Sequence, residues 1–194
     1  MSGSLSALRI ADPPERWARL GFTVRDGKVV IGGVTLALGA GGTGITGWSL
    51  PEIDGLRSFA FAASAQPADP HPNGASGLDH VVVVTPDFDR TSSALAAADL
   101  PLKRLRDAGG FRQGFRRVGP AILELVEAVD EDPGGPARFW GLVVIVADLD
   151  ALAARLGEHL GRVHAAVQRG RRIATLRAGA GLSTKLAFMD PEPS

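Results

Sequence analysis

The stretch GLDHVVVVTPDFDR, residues 77–90, decides the fold. Its four consecutive valines, Val81 to Val84, form a β-branched run of the kind found in strands that are buried on both faces. Asp87 follows after a short turn. A carboxylate at that point is a favourable N-cap, because it accepts hydrogen bonds from the free N–H groups of a helix's first turn. The stretch therefore predicts a strand that leads directly into a helix.

The same pattern returns in GLVVIVADLDALAARL, residues 141–156. Asp148 lies 61 residues after Asp87, and an apolar run precedes both aspartates. Three short strand-like runs follow each copy: LKRLRD, FRQGFRRV and AILELVEA in the first, and HAAVQ, RIATLR and STKLAFM in the second. The chain is thus predicted to contain two tandem βαβββ units.

Weaker echoes of this unit occupy the N-terminal part. Residues 7–39 predict a strand, a helix and three short strands, with RDGK as a hairpin turn. Residues 44–61 resemble the strand and helix of a further unit that is cut short. The Pro- and Ala-rich stretch 63–76 has no periodicity and predicts a linker. We therefore expect degenerate βαβββ-type units in residues 4–62 and a paired βαβββ domain in residues 77–190.

Composition limits the classes of function. The 194 residues are 45% apolar, which is enough for a sizeable core. Lys plus Arg and Asp plus Glu both total 21, and this balance argues against a nucleic-acid partner or electrostatic attachment to a membrane. There is no cysteine, so disulfides and thiolate metal sites are excluded. With no visible signal peptide and no apolar run of membrane-spanning length, the expected location is the cytoplasm.

Tandem βαβββ units that carry LDHVVV, PDFD and ILELVE resemble the vicinal oxygen chelate superfamily, which includes glyoxalase, methylmalonyl-CoA epimerase, extradiol dioxygenases and bleomycin-resistance proteins. The resemblance implies an α+β fold with open, curved mixed β-sheets around a concave pocket. Enzymes of this superfamily hold a divalent metal there with His, Gln or Glu side chains. The resemblance also implies a small-molecule ligand and leaves a homodimer open, because members often dimerise by exchanging units.

Two residues match the metal-ligand positions that the resemblance implies, His80 and Glu124, and in an enzyme the same two would carry the catalysis. The 61-residue offset maps His80 onto Gly141 and Glu124 onto Lys185. Two candidate ligands then remain where three or four are needed, and the ammonium group would repel a cation. We therefore expect the usual metal site to be incomplete, with Lys185 paired to Glu124 in its place.

Further side chains are candidates for binding a ligand. The indole rings beside two first strands could line a flat ligand site, and in FRQGFRRV the alternation of a strand sends Arg112 to one face and Gln113 to the other. Core packing of the rings and a solvated strand face remain the alternatives. His71, between prolines of the predicted linker, is expected to be an exposed turn residue. The ligand-binding candidates are Trp48, Arg112, Gln113, Phe115, Trp140 and Lys185.

Three functions follow from these residues. The leading one is a glyoxalase-like protein that binds a small molecule in a concave β-sheet pocket without the complete metal site and without another cofactor. The second is a metal-dependent lyase, isomerase or dioxygenase that uses His80 and Glu124. The third is a structural or partner-binding module whose pocket is filled by Trp48, Phe115 and Trp140.

Overall fold

The computed structural model describes residues 3–62 and 69–193. Its N-terminal part contains β1 (Ala7–Ile10), α1 (Pro14–Arg19), β2 (Lys28–Ile31), β3 (Val34–Ala37) and β4 (Ile45–Trp48). These strands form a sheet in the order β2-β3-β1-β4, in which β1 runs parallel to β3 and antiparallel to β4. This region therefore has the strand pairing of one βαββ unit that is joined to the first strand of another.

The N-terminal prediction is only partly correct. The RDGK turn forms between Arg25 and Lys28, and its two central residues have positive φ, 48° at Asp26 and 69° at Gly27, as a type I′ hairpin turn requires. Two strands follow α1 rather than three. The helix expected within residues 44–61 does not form, because Pro51 and the left-handed Asp54 and Gly55 interrupt the backbone; turns and isolated bridges follow β4 instead.

Of the predicted linker, residues 69–76 belong to the described part of the chain, and residues 63–68 lie outside it. The next strand begins at Ala75, inside the predicted linker. The expectation that His71 is exposed was wrong. Its side chain is buried, Nδ1 accepts from the backbone N–H of Thr23 at 3.0 Å, and Nε2 lies 2.9 Å from the carbonyl oxygen of Val30. His71 therefore ties this segment to the N-terminal unit.

Both complete units form as predicted. The first contains β5 (Ala75–Thr85), α2 (Phe88–Ala97), β6 (Arg104–Asp107), β7 (Arg112–Val118) and β8 (Ala121–Glu127). The second contains β9 (Arg138–Val146), α3 (Leu149–Leu156), β10 (His164–Ala165), β11 (Arg172–Thr175) and β12 (Lys185–Met189). Asp87 and Asp148 cap the two helices, and each carboxylate accepts a 2.9 Å hydrogen bond from the backbone N–H three residues later. Two short 3₁₀ turns, Gly157–His159 and Ala178–Ala180, complete the second unit.

The eight strands of the two units form one open mixed sheet in the order β10-β11-β12-β9-β5-β8-β7-β6. The first strands, β5 and β9, pair antiparallel at the centre, and each pairs in parallel with the last strand of its own unit. The pairing of β5 with β9 contains three register shifts, at which Ser76 and Asp79 are the extra residues in β5 and Trp140 is the extra residue in β9. Asp79 and Trp140 are 61 residues apart, so the repeat read from the sequence is at these two positions also a repeat of backbone detail.

Alternation along the strands divides the sheet into two faces. Val81, Val83, Leu123 and Leu125 face the helices and belong to the main core, which also contains the apolar side chains of the N-terminal unit. The opposite face, which we call the open face, carries His80, Val82, Glu124, Val143 and Ala187.

The N-terminal unit is tied to the helix side of the sheet by charged groups. Asp12 is buried and accepts from the backbone N–H groups of Ser183 at 2.6 Å and Thr184 at 2.9 Å. Asp54 accepts from Arg90 at 3.1 Å. Since both contacts lie behind the sheet, the N-terminal unit leaves the open face uncovered. Across the described ranges, none of the helices is long and apolar enough to span a membrane.

Candidate functional site

A cluster of three ionisable side chains lies on the open face of the first unit. The bulge in β5 places two successive residues, Asp79 and His80, on this face, where regular alternation would separate them. His80 Nδ1 lies 2.7 Å from Asp79 Oδ2, and His80 Nε2 lies 3.2 Å from Glu124 Oε2. The imidazole therefore stands between two carboxyl groups, and all three side chains are largely buried.

Two further polar side chains hold the ends of this cluster. Arg171 forms an ion pair with Asp79, with 2.7 Å between Nη2 and Oδ1, and donates from Nε to the carbonyl oxygen of Asp190 at 2.7 Å. Gln113 donates from Nε2 to Glu124 Oε1 at 2.9 Å. Residues from both units therefore fix the orientation of Asp79, His80 and Glu124.

The pKa values of Asp79 and Glu124 are shifted in opposite directions. Burial raises the pKa of Glu124 above its ordinary value, although the positive charges of His80 and Arg106 oppose that rise. Burial also disfavours the ionised form of Asp79, but hydrogen bonds from His80 and Arg171 outweigh it and hold the pKa of Asp79 below its ordinary value. The lowered pKa of Asp79 favours a carboxylate beside His80 Nδ1, whereas the raised pKa of Glu124 favours its protonated form more than in a solvated Glu.

A cavity of about 280 Å³ opens beside His80 and Glu124. Its polar lining includes His80, Gln113 and Glu124, and its apolar lining includes Phe115 and Met189. The segment after β10 closes its far side with Ala166, Val167 and Gln168. The site residues predicted from the sequence as catalytic, His80 and Glu124, are therefore brought together with two predicted ligand-binding residues, Gln113 and Phe115.

A larger groove of about 750 Å³ adjoins the cavity, and both are lined by Arg106, Phe115, Val167 and Gln168. We call it the cationic groove because seven of its lining residues are basic and two are acidic, Asp79 and Glu192. The basic residues are Lys103, Arg104, Arg106, Arg116, Arg117, Arg169 and Arg171. The two units together thus form a small cavity, polar at His80, Gln113 and Glu124, that adjoins a strongly positive surface.

The other predicted ligand-binding residues lie elsewhere. Trp48 is buried in the N-terminal unit, where it packs against Phe139 and donates from Nε1 to the carbonyl oxygen of Pro51 at 2.9 Å. Arg112 lies on the helix side of β7 and pairs with Asp89 and Glu127, each at 2.7 Å.

The indole ring of Trp140 is 42% exposed. The Lys185 ammonium lies 4.6 Å from the centroid of that ring, and both side chains line a separate pocket of about 390 Å³ in the second unit. The expected ion pair between Lys185 and Glu124 is therefore wrong, because Lys185 contacts Trp140 while Glu124 contacts His80 and Gln113.

The strand register also corrects one equivalence between the units. In the first unit, Glu124 pairs with Val82. The counterpart of Val82 in the second unit is Val143, 61 residues later, and Val143 pairs with Ala187. Ala187, rather than Lys185, is therefore the counterpart of Glu124, because the second unit has two more residues between its first and last strands.

The donor atoms on the open face do not fit a divalent metal held between two units. Within residues 3–62 and 69–193, no group of three or more His, Cys, Asp or Glu side chains is placed to hold a metal ion. The first unit offers His80 and Glu124, together with Gln113 Oε1, which is buried without a partner. The second unit offers Gly141 and Ala187 at the equivalent positions, and neither side chain has a donor atom.

Sequence reasoning missed Asp79, Arg106 and Arg171. The acid–histidine pair LDH was visible in the sequence, but alternation would have sent the two side chains to opposite faces, and a bulge has no clear sequence signal. Arg106 and Arg171 come from opposite ends of the sheet and reach the site only through the pairing of the two units. Basic residues are frequent between 103 and 117 and again between 169 and 172, but their convergence is a property of the fold.

Comparison with solved structures identifies the fold. The chain is similar to methylmalonyl-CoA epimerase from Mycobacterium tuberculosis, with 23% identity, a TM-score of 0.51, and coverage of 62% of this chain and 91% of that chain. It also matches a Streptomyces coelicolor methylmalonyl-CoA epimerase in complex with 2-nitronate-propionyl-CoA, with 19% identity, a TM-score of 0.48 and coverage of 60% and 97%. A hypothetical protein from Bacillus halodurans matches with 16% identity, a TM-score of 0.48 and coverage of 60% and 95%.

The chain therefore has the glyoxalase-like α+β fold that the sequence resemblance implied, and at these identities the similarity establishes the fold alone. No protein-family model and no curated protein sequence matches the chain.

Proposed function

We propose that this chain binds a small anionic molecule on the open face of its first unit, beside His80 and Glu124, without a complete divalent-metal site. The observation that carries the proposal is the cavity of about 280 Å³ next to His80 Nε2 and Glu124, which opens into a positively charged groove. Ligand sites in proteins are concave, mostly apolar and furnished with a few convergent polar groups, and this cavity has that composition.

Two features favour binding over the alternative of a filled pocket. Of the three rings that would fill it, Phe115 alone lines the cavity, whereas Trp48 is buried elsewhere and Trp140 lies at a separate pocket. The cavity is also polar where it meets the strands, and a module stabilised by packing alone gains nothing from a buried His between two carboxyl groups. The cavity is therefore available to a ligand.

The second unit lacks donor side chains at the positions that are equivalent to His80 and Glu124. Gly141 and Ala187 stand where a paired-unit site needs donor side chains, and Arg106 places a positive charge near Glu124. A catalytic zinc keeps three protein ligands, and hard cations require several oxygen donors. Of the side-chain types that usually bind zinc, the first unit turns His80 and Glu124 toward the cavity, and Gln113 adds an amide oxygen, so two of the three usual ligands are present.

The solved structures agree with a small anionic ligand as one class to test. The Mycobacterium tuberculosis structure is a methylmalonyl-CoA epimerase, and the substrate in its name is a thioester that bears a carboxylate. We infer only that the open face of this fold accommodates acyl groups with a negative charge. We also expect a cytoplasmic protein and keep the homodimer as a prediction, which light scattering behind a sizing column tests.

A second function, proton transfer on the bound molecule, is favoured by the 3.2 Å contact between His80 Nε2 and Glu124 Oε2 at the cavity. A carboxylate at Glu124 could take a proton from a carbon next to a carbonyl group and return it to the same face of that carbon or exchange it with water. Loss of a deuterium label from the α-carbon of a bound acyl ligand, abolished by Glu124→Gln, tests this function separately from binding.

The experiment for binding uses carboxylic acids of three to six carbons, among them malonate and succinate, in thermal unfolding and calorimetry. A ligand at 100 times its Kd stabilises the native state by about 2.7 kcal/mol, which is readily measured as a rise in Tm. We expect at least one acid to bind and His80→Gln to weaken it, while Arg57→Gln, an exposed cation of the N-terminal unit, leaves it unchanged.

The same preparation tests the metal. Elemental analysis and thermal unfolding with Ni, Zn, Mn, Fe and Co check whether the chain takes up a divalent ion. A stoichiometric metal that is lost in His80→Ala would overturn the metal-free part of the proposal and favour the metal-dependent lyase, isomerase or dioxygenase. Metal uptake below stoichiometry, unchanged in His80→Ala, is the result that we expect.

A further inference from the structure

The cationic groove is the larger of the two connected spaces, and most of its basic residues make no contact with His80 or Glu124 among the described residues. We propose that the groove is a second subsite and binds the phosphate groups of a small molecule whose other end enters the cavity beside Glu124. This inference rests on the proposed function, because it assigns the chemistry of the remaining part of the same ligand.

The first support is the local charge. The whole chain has a formal net charge of zero, but seven basic and two acidic residues line this one groove. A cleft that is lined by charges of one sign focuses the field and raises the local concentration of counter-ions. The groove therefore attracts multivalent anions although the protein as a whole does not.

The strand register shows which cations point into the groove. Arg104 pairs with Phe115 and Arg106 with Gln113, so both arginines share the open face with these two side chains of the cavity. Arg117 pairs with Ile122, which in turn pairs with His80. Three guanidinium groups thus border the sheet on the same face as His80 and within one or two residue rows of it.

The pairing of these cations differs from that of other arginines. Elsewhere in the chain, Arg90, Arg112, Arg138 and Arg172 each form ion pairs with carboxylates. In the groove, and for the described ranges only, the recorded ion pairs belong to Arg171, which contacts Asp79. Like charges that are held together without counter-charges repel one another, and a bound polyanion would relieve that repulsion.

The chemistry of the cations favours phosphate over a second carboxylate. Six of the seven basic residues are arginines, whose planar guanidinium group donates two parallel hydrogen bonds to phosphate oxygens. A carboxylate brings one negative charge, whereas a phosphate monoester carries nearly two at neutral pH. Several guanidinium groups around one groove therefore match a ligand with one or more phosphates.

Because the two spaces adjoin, a single molecule can occupy both. Arg106, Phe115, Val167 and Gln168 line both, and the Arg104 guanidinium lies 5.7 Å from the centroid of the Phe115 ring. Phe115 consequently lies between the positively charged groove and the smaller cavity. A phosphorylated small molecule with an acyl or other compact group fits this division.

The test uses inorganic diphosphate as the probe and isothermal titration calorimetry as the measurement. The variant is the double substitution Arg104→Gln with Arg117→Gln. The control is Arg57→Gln with Arg162→Gln, which removes the same charge from two exposed arginines outside the groove. We expect the wild type to bind diphosphate, the groove variant to bind at least about tenfold more weakly, and the control to bind within about twofold of the wild type. Circular dichroism and thermal unfolding establish that both variants are folded.

Three results would overturn the phosphate subsite. One is no binding of diphosphate to the wild type at millimolar concentration. Another is an equal loss in the groove variant and the control, which would indicate general attraction by net charge. The third is a DNA duplex that binds more tightly than diphosphate and loses affinity in the groove variant, which would make the groove a nucleic-acid surface.

A malonate titration separates this inference from the proposed function. If malonate binds in a His80-dependent manner and diphosphate does not bind, the phosphate subsite is wrong and the cavity stands. If diphosphate binds through Arg104 and Arg117 while no carboxylic acid binds, the cavity assignment is wrong and the subsite stands.

Discussion

The two complete βαβββ units differ most where their backbones are most alike. The bulge residue is Asp79 in the first unit and Trp140 in the second, and the residue after it is His80 in one and Gly141 in the other. The first pair contacts Arg171 and Glu124, whereas Trp140 is partly exposed beneath Lys185. One backbone plan thus supports a polar site in the first unit and a cation–aromatic contact in the second.

Other features are common to both units and belong to the scaffold. Arg112 bridges Asp89 and Glu127 in the first unit, and Arg172 bridges Asp150 and Asp190 in the second. Both triads join the first turn of a helix to the third and last strands of its own unit. The repeat therefore preserves the ion pairs that connect each helix to the strands of its unit, while the side chains of the open face differ between the units.

The second unit also has a steric reason for lacking a ligand side chain. A Cβ atom on Gly141 would lie 2.5 Å from the backbone oxygen of Lys185 and 2.9 Å from its Cβ. A histidine at this position would push β12 away from β9. The strands of the second unit therefore pack too closely to hold the counterpart of His80.

The largest expected effect is at the bulge. Asp79→Asn leaves the Arg171 guanidinium buried without its counter-charge, and breaking a buried ion pair in this way costs about 3 to 5 kcal/mol. Trp140→Ala, the same position of the second unit, removes a partly exposed cation–π contact that is worth about 0.5 to 1 kcal/mol. Urea unfolding measures both, and equal losses would contradict the difference between the units.

The next effect concerns the close approach of β9 and β12. Gly141→Ala is expected to destabilise by about 1 to 3 kcal/mol, because the added methyl group meets backbone that has to shift. Gly179→Ala is the matched control, since a Cβ there meets nothing within 4 Å. A tolerated Gly141→Ala would show that the second unit has room for a side chain after all.

A smaller effect is expected for Glu124→Gln, and it depends on pH. The pKa of Glu124 is raised in the folded state, so the folded protein binds this proton more tightly than the unfolded chain does. Its ionisation therefore costs stability as pH rises from the unfolded pKa through the folded pKa, and the variant is free of that cost. We expect the variant to gain stability relative to the wild type as pH rises above about 4.3, the ordinary pKa of a Glu carboxyl, by at most about 1.4 kcal/mol per pH unit. Urea unfolding at a series of pH values measures the difference, and a variant that loses stability relative to the wild type as pH rises would contradict the assignment.

The smallest difference is expected between the two ion-pair triads. Arg112→Met and Arg172→Met should lower the urea midpoint by similar, small amounts, because both arginines are exposed and each bridges two carboxylates. Both losses should shrink in 1 M NaCl, where screening acts over about 3 Å. A large loss in one unit alone would show that the scaffold is not shared.

The sequence predicted the repeat because its signals are local. Val81 to Val84 and the N-caps Asp87 and Asp148 depend on burial and on the first turn of a helix, and both are properties of a short segment. His80 and Glu124 were identified through the resemblance to the vicinal oxygen chelate superfamily, and the structure places them on neighbouring parallel strands of one unit.

The remaining features depend on geometry that no short segment encodes. The bulge turns Asp79 toward His80, and two extra residues in the second unit shift the counterpart of Glu124 from Lys185 to Ala187. Arg171 reaches Asp79 only because β5 and β9 pair at the centre of the sheet. The helix predicted within residues 44–61 does not form. The prediction gave more weight to the apolar pattern after Trp48 than to the helix-breaking residues Pro51 and Gly55.

An ¹H–¹⁵N correlation spectrum recorded during a malonate titration tests whether the binding site lies beside His80 and Glu124 rather than beside Trp140 and Lys185. The side-chain amide of Gln113 reports on the first of these pockets, the indole N–H of Trp140 reports on the second, and the buried Trp48 is an internal reference. We expect the Gln113 signal to move with saturation while the Trp140 signal stays in place. Movement of Trp140 with an unchanged Gln113 would contradict this position of the binding site.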